Sequence, residues 1–313
     1  MTTSAISGIL VPHMVPLDAK GRIDEDELSR YVGWLVERGV HGLYPNGSTG
    51  EFLRFTPEER RRIVEIVCRE AGGRALVVAG AAEGTAAETI RACEHCHASG
   101  ARAVAIVAPH YYKHSSASVE AYFREIARHS PIDITLYHIP ALASPIDIPV
   151  VRRLAEDFPR IVGIKDSSGD ISHMQRLIAA VRPLRPDFGF LTGWDPALAP
   201  MLMAGCTGAT VATAGLMPEL TRRVWDLMAA GDFRGAMRHQ AGILEVFDIA
   251  IQDFPEIVRV AAGRRGFRMG PSRFPASPEQ LADRERTAEH IGEVFARLGV
   301  DPARPGDAAT LGA

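Results

Sequence analysis

Two titratable side chains stand at the ends of apolar, strand-like runs in this chain of 313 residues. Residues 161–165 read Ile-Val-Gly-Ile-Lys and end in Lys165, and residues 132–137 end in Tyr137. A lone lysine there could simply extend its amine into solvent. Beside a phenol at an equivalent strand end, a desolvated amine could instead attack a ketone, with the phenol transferring protons. The pair predicts Schiff-base chemistry.

Further polar residues follow other strand-like runs. The turn after residues 39–44 holds Ser48 and Thr49 between glycines, and such a turn exposes hydroxyl and N–H donors to a small carboxylate, unless it is an ordinary glycine-rich turn. Tyr111 follows the run over 103–107 and could extend a proton relay from Tyr137. The predicted catalytic residues are Lys165, Tyr137 and Tyr111, and the predicted substrate-binding residues are Gly47, Ser48, Thr49, His138, Asp195 and Thr210.

Metal-dependent chemistry is the alternative mechanism. The candidate histidine ligands are His13, His41, His110 and His138. They lack a matching carboxylate pattern, so the sequence predicts no catalytic metal. Cys93 and Cys96 lie three residues apart in a helical pattern and share one face, which predicts core packing rather than a zinc site.

Composition and charge narrow the possible functions. The chain is 46% hydrophobic and 23% charged with a formal net charge of -3, so no basic surface points to a nucleic acid or an anionic membrane. No apolar run is long enough to cross a bilayer, and the segment over 6–15 lacks the features of a signal peptide. Four cysteines are too few for a disulfide framework. We expect a cytoplasmic protein that acts on a small molecule, with no nucleic-acid or membrane partner.

The order of elements predicts the fold. Eight short, largely β-branched runs recur at 8–12, 39–44, 75–79, 103–107, 132–137, 161–165, 188–191 and 208–211. Helical patterns over 57–71, 86–99, 118–129 and 171–181 lie between them. Parallel strands that alternate with helices predict an α/β protein with a closed (β/α)₈ TIM barrel. A doubly wound open sheet is the alternative, but no Gly-x-Gly-x-x-Gly sequence follows an early strand.

Additional helical patterns follow the eighth strand, at 218–230, 233–251, 255–264 and 278–298. We therefore predict a barrel catalytic domain over residues 1–230, a C-terminal helical extension over 231–299 and a flexible tail over 300–313. The carboxyl ends of barrel strands carry the chemistry in this fold, so the residues proposed above would meet at one mouth.

Three motifs resemble those of the dihydrodipicolinate synthase and N-acetylneuraminate lyase family of Schiff-base aldolases. Residues 47–51 match its Gly-x-x-Gly-Glu loop, residues 137–140 its Tyr-x-x-Pro motif, and residues 163–166 its Gly-Ile-Lys-Asp lysine motif. The resemblance extends over essentially the whole chain.

This resemblance implies roles for the same residues. Lys165 would form a Schiff base with pyruvate or another 2-oxo acid, and the carboxylate would lie on Ser48 and Thr49. Tyr137 would be the acid/base phenol, and Tyr111 a relay tyrosine that often comes from a neighbouring subunit. The family implies no cofactor, and it implies a homotetramer or a homodimer.

Departures from the family pattern bear on the substrate. Leu142 stands where the synthases have an arginine that binds a second carboxylate, which argues against lysine-pathway synthase activity. Sialic-acid lyases have an acidic pair after strand seven and a serine on strand eight, whereas this chain has only Asp195 and Ala212. The pattern is closest to the 2-keto-3-deoxy sugar acid aldolases.

The predicted function is therefore a lyase that cleaves a 2-keto-3-deoxy sugar acid, or a related 4-hydroxy-2-oxo acid, to pyruvate and an aldehyde. The alternatives are a 4-hydroxy-tetrahydrodipicolinate synthase, a dehydratase or deaminase of the same family, and a non-catalytic regulatory protein that binds pyruvate.

Overall fold

Eight parallel strands close into a barrel in the computed structural model, which describes residues 6–300. Each strand pairs with its neighbours in chain order, and β8 pairs with β1. The strands are β1 (Gly8–Val11), β2 (Gly42–Leu43), β3 (Leu76–Gly80), β4 (Ala103–Val107), β5 (Asp133–His138), β6 (Ile161–Asp166), β7 (Gly189–Thr192) and β8 (Gly208–Thr210). The predicted (β/α)₈ fold is confirmed.

Eleven α-helices surround and extend this barrel within the described residues. The first eight are α1 (Glu25–Glu37), α2 (Pro57–Ala71), α3 (Ala86–Ala98), α4 (Ser116–His129), α5 (Ile148–Asp157), α6 (Ile171–Val181), α7 (Leu198–Met203) and α8 (Pro218–Ala229). The last three are α9 (Phe233–Ala250), α10 (Glu256–Arg264) and α11 (Pro278–Arg297).

Local sequence signals account for several helix boundaries. Thr56 and Glu59 form a capping box at the start of α2, and Pro57 occupies its first turn, where a missing N–H costs nothing. Helix α4 begins two residues before the predicted start because Ser115 caps it by accepting a hydrogen bond from the Ser118 N–H. Cys93 and Cys96 of α3 are buried and unpaired, as their spacing predicts.

The register of the central strands decides which side chains face the barrel interior. Tyr137 on β5 pairs with Lys165 on β6, and the next residues, His138 and Asp166, pair in turn. Because side chains alternate along a strand, the first pair shares one face and the second pair the other. The β5–β6 register shifts between Ile134 and Thr135, where β6 contains one additional residue.

The C-terminal helices pack on the outside of the barrel, with α9 against α8 and α11 against α10. The division at residue 230 stays a prediction. Of the predicted tail, residues 301–313 lie outside the described residues, as do residues 1–5. Within residues 6–300, no helix has both the length and the apolar character needed to span a membrane.

Candidate active site

The amine of Lys165 lies inside the barrel against aromatic rings. Its Nζ is 4.1 Å from the centre of the Tyr137 ring and 4.9 Å from the centre of the Tyr44 ring. Only 4% of Lys165 is exposed, so the amine does not extend into solvent. The interpretation of Lys165 as a solvent-exposed strand end is therefore wrong.

The phenol of Tyr137 lies within hydrogen-bonding distance of a side chain of the turn after β2. Its hydroxyl lies 3.3 Å from Ser48 Oγ. Burial alone would raise the pKa of Tyr137, but the charge of Lys165 and hydrogen bonds from side chains including Ser48 outweigh burial and lower that pKa. A phenol with a lowered pKa gives up its proton more readily than an ordinary tyrosine and still returns it.

Tyr44 is a site residue that sequence reasoning missed. It directly follows β2, and its ring meets that of Tyr137 edge-on with 6.4 Å between centroids. Burial raises the pKa of Tyr44 well above its usual value, which keeps this phenol protonated. The position of Tyr44 directly after an apolar strand is the sequence signal that could have identified it.

The turn after β2 presents the predicted carboxylate-binding residues. Thr49 is buried, and the turn is closed by hydrogen bonds from Glu51 N to the Ser48 carbonyl at 3.0 Å and from Phe52 N to the Gly47 carbonyl at 3.4 Å. A side chain at Gly47 would place its Cβ 2.8 Å from the Tyr44 ring. Glycine is therefore required where the turn crosses that ring.

Glu51 connects this turn to the C-terminal helices. It adopts a left-handed conformation with φ of 55° and pairs with Arg54 and with Arg259 of α10. Arg259 is itself buried, and its guanidinium also donates to the carbonyl of Val15 at 3.3 Å. The sequence could not predict these contacts, because Glu51 and Arg259 lie far apart along the chain.

Gly193, after β7, leaves space for the lysine side chain. A Cβ at this position would lie 2.7 Å from Cε of Lys165 and 2.0 Å from Oγ of Ser167. Real Cβ atoms do not approach so closely, so a larger residue would displace Lys165, Ser167 or the β7 loop.

A cavity of about 310 Å³ opens next to Tyr137 and Ser48. Tyr44, His110 and Tyr111 also line it. The cavity lies over the carboxyl ends of β2 to β5, which is where the fold predicts the reactive mouth.

Tyr111 stands at the outer rim of this cavity rather than beside Tyr137. It is 89% exposed, with φ of 70°, and its ring packs edge-on against Tyr112 with 4.9 Å between centroids. Within residues 6–300 its hydroxyl makes no hydrogen bond to Tyr137. In a single chain, Tyr111 therefore does not complete the predicted relay.

His138 faces the helical layer and not the barrel interior. Its ring stacks on that of His173 in α6, with 4.9 Å between centroids, and its Nδ1 accepts a hydrogen bond from Ile146 N at 3.1 Å. Burial lowers the pKa of His138. This geometry does not support the prediction that His138 binds substrate.

His138, Asp166 and His173 form the one cluster with metal-ligand potential in the described part of the chain. The Asp166 carboxylate already accepts a hydrogen bond from His173 Nδ1 at 2.8 Å. Because Nδ1 of His138 accepts from a backbone N–H, the proton of the neutral ring sits on Nε2, which is then no metal ligand. The cluster instead links β5 to α6 through the stacked histidine rings and β6 to α6 through the hydrogen bond between Asp166 and His173.

Asp195 is already hydrogen-bonded within the chain, whereas Thr210 is not, and the predicted role of Thr210 in substrate binding stays a prediction. Both oxygens of the buried Asp195 carboxylate accept hydrogen bonds from the segment after β8, at 3.2 Å from Ala212 N and 2.8 Å from Thr213 N. Burial raises the pKa of Asp195 despite these bonds. The Thr210 hydroxyl is buried and has no hydrogen-bond partner among residues 6–300.

Comparison with known proteins identifies the family. A sequence model of the Dihydrodipicolinate synthetase family matches residues 5–293. The chain belongs to this family. An uncharacterized DapA-like lyase from Halobacterium salinarum is 33% identical to it over 286 residues, covering 90% of this chain and 91% of that protein. The family assignment confirms the resemblance carried by the three motifs, and the chain is a lyase.

Two further relatives extend this comparison. The 4-hydroxy-tetrahydrodipicolinate synthase of Methanopyrus kandleri is 30% identical over 308 residues, covering 95% of this chain and 98% of that protein. The crystal structure of YagE, a prophage protein of the dihydrodipicolinic acid synthase family from E. coli K12 in complex with pyruvate, superposes with a TM-score of 0.87 at 27% identity. The superposition covers 94% of this chain and 99% of the YagE chain.

Proposed function

We propose that this member of the family is a class I lyase that forms a Schiff base between Lys165 and pyruvate, or the pyruvate half of a 2-oxo acid. The observation that carries the proposal is the buried Lys165 amine, 4.1 Å from the centre of the Tyr137 ring. The turn at Ser48 and Thr49 supplies N–H and hydroxyl donors for the carboxylate of that substrate.

In the cleavage direction, Lys165 Nζ attacks the C2 carbonyl of a 4-hydroxy-2-oxo acid and expels water to form an imine. Tyr137 gives its proton to the departing water, which leaves a protonated imine and a phenolate, and the phenolate then accepts the proton of the 4-hydroxyl. The C3–C4 bond breaks, its electron pair moves through C2 onto the imine nitrogen, and an aldehyde leaves. Protonation at C3 followed by hydrolysis releases pyruvate and restores the amine.

Within this substrate class, the motif pattern favours a 2-keto-3-deoxy sugar acid, and we keep the wider class of 4-hydroxy-2-oxo acids as the proposal. The alternative of a 4-hydroxy-tetrahydrodipicolinate synthase has support from the M. kandleri relative. Against it, Leu142 lines the cavity at the position where the synthases have an arginine.

Trapping the imine tests the proposal. Purified protein would be incubated with pyruvate, reduced with borohydride, digested and analysed by mass spectrometry. We expect the mass of a reduced pyruvate adduct on Lys165, and none on the Lys165→Ala variant. An unmodified Lys165 in the native chain would refute the proposal. An adduct without pyruvate release from any 2-oxo acid would favour a regulatory protein.

The proposal also includes the oligomeric state of the enzyme and its cellular compartment. A homotetramer or homodimer would bring Tyr111 of one subunit towards the site of another, which its 89% exposure permits. A cytoplasmic setting agrees with the four free cysteines. Light scattering of the purified protein would measure the subunit number.

A further inference from the structure

We infer that the cavity beside Tyr137 is a compartment for a hydrocarbon substituent, so that the aldehyde half of the substrate is aliphatic or aromatic rather than polyhydroxylated or charged. The inference rests on the proposed function and narrows it within the 4-hydroxy-2-oxo acids.

The walls of the cavity carry the inference. Beyond the reactive phenol, most of its lining side chains are apolar, among them Phe52, Leu53, Val107, Ile139, Leu142 and Ala143. None of the residues that line this cavity is an aspartate, glutamate, lysine or arginine. A carboxylate or phosphate placed against these walls would find no cationic partner and a sugar chain few hydrogen-bond partners, whereas a hydrocarbon group would gain by leaving water.

The position of the cavity fixes which part of the substrate it receives. Tyr137 and Ser48 line one end, so the carbon whose hydroxyl meets the phenol lies at that end. The carboxylate end of the pyruvate half is taken by the turn at Ser48 and Thr49. Only the substituent on the aldehyde carbon is left to extend towards Ile139 and Leu142.

Most of the polar residues that could have bound sugar hydroxyls are occupied elsewhere, and the unpartnered Thr210 hydroxyl does not line this cavity. Both oxygens of Asp195 accept hydrogen bonds from the segment after β8. His138 faces α6, and Asn46 Nδ2 donates to the Arg60 carbonyl at 3.0 Å. His110 and Tyr111 at the rim and Asn46 Oδ1, which has no partner among residues 6–300, remain, and they are too few to replace the water around a sugar chain.

A pair of aldehydes with equal numbers of heavy atoms tests the inference. The native enzyme would be supplied with pyruvate and either pentanal or glyceraldehyde, and formation of the 4-hydroxy-2-oxo acid would be followed. We expect kcat/KM to be at least tenfold higher for pentanal, and to rise by roughly tenfold from propanal to butanal, as one methylene in an apolar pocket contributes. Benzaldehyde tests whether the cavity also accepts an aromatic substituent.

A charge placed on the cavity wall provides an independent test. Leu142→Arg should lower kcat/KM for pentanal at least tenfold and raise it for succinic semialdehyde, whose carboxylate the new guanidinium would bind. Leu281→Arg is the matched control, because Leu281 is also exposed but lies on α11, away from this cavity. That variant should behave like the native enzyme with both aldehydes.

The outcomes separate this inference from the proposed function. Absence of the pyruvate adduct on Lys165 would refute both. An adduct combined with equal or faster turnover of glyceraldehyde than of pentanal would refute the hydrocarbon compartment alone. Equal responses of Leu142→Arg and Leu281→Arg would also refute it, since the substituent would then bind elsewhere.

Discussion

Lys165 and Tyr137 are direct neighbours across β5 and β6, and the amine lies 4.1 Å from the centre of the phenol ring. The two groups influence each other: the lysine charge favours the ionised phenol, and the ring face is attractive to a cation. In the proposed mechanism, proton transfer and imine formation therefore depend on the same contact. Changes at one residue should be visible in the chemistry of the other.

Replacing the phenol should separate proton transfer from imine formation. Tyr137→Phe keeps the ring over the amine but removes the hydroxyl that lies 3.3 Å from Ser48 Oγ. We expect kcat for pyruvate release to fall by about 10²–10⁴-fold, the usual effect of losing a general acid/base. Borohydride trapping of pyruvate on Lys165 should persist at a lower rate.

Tyr122→Phe is the matched control for this variant. Tyr122 is a largely buried phenol on α4 that hydrogen-bonds to Thr89 at 3.3 Å, outside the candidate site. Its loss should cost about 1 kcal/mol of stability with unchanged kcat. An equal fall in kcat for both variants would contradict the role of Tyr137.

The absence of a side chain at Gly193 should be as important for imine formation as a catalytic side chain. In Gly193→Ala the new Cβ would lie 2.7 Å from Cε of Lys165. We expect slower trapping of pyruvate on Lys165 and a loss of about 1–3 kcal/mol in the free energy of unfolding. Gly33→Ala is the control, since its Cβ would meet nothing within 4 Å in helix α1. Normal trapping by Gly193→Ala would show that Lys165 has room to shift.

Arg259 should act on substrate binding from outside the cavity. Arg259→Ala leaves Glu51 with Arg54 as its remaining cationic partner and loosens the turn that contains Ser48. We expect KM for the 2-oxo acid to rise several-fold with a smaller change in kcat, and unfolding to become easier by about 3 kcal/mol. Arg259→Lys, which keeps the charge, should recover part of the affinity.

Arg264→Ala is the control for Arg259, because Arg264 is exposed on the same helix. It should leave both KM and stability unchanged. If Arg259→Ala lost stability but kept its KM, the contact with Glu51 would be purely structural.

Stability should depend on pH through His173. The hydrogen bond with Asp166 raises the pKa of His173 in the folded chain. Its stabilising contribution is therefore fully present below the unfolded pKa of about 6.5 and is lost as pH rises through the folded value. We expect native protein to exceed His173→Asn in unfolding free energy by more at pH about 6 than at pH about 8.5. Urea unfolding measures this, and a difference that grows with pH would contradict it.

The sequence predicted those parts of the fold that depend on local signals. Helices α2 and α6 have the predicted bounds because capping residues precede both and an apolar face runs along each. Lys165 and Tyr137 were singled out by their positions at the ends of apolar runs, but their shared inward face depends on the β5–β6 register shift, which the sequence did not reveal.

Contacts between distant segments could not be predicted in this way. Asp195 follows β7 and His138 ends β5, the positions that a substrate-binding residue would have. In the structure, however, Asp195 accepts a hydrogen bond from Thr213 and the His138 ring stacks on that of His173. Nothing in the local sequence around Glu51 signals Arg259, and Gly193 matters because Lys165 and Ser167 approach it from β6 and the loop that follows. Such partners appear only once the barrel is closed.

One additional residue in β6 decides which group stands opposite the phenol. Regular pairing continued from Ile134 and Ile161 would place Ile164 across from Tyr137 and turn Lys165 out towards α6. The irregularity at Val162 resets the phase of the strand and brings the amine inward. The position of the proposed nucleophile thus depends on the number of residues in β6, and a single deletion or insertion on one side of Lys165 would put a hydrocarbon side chain where the amine now lies.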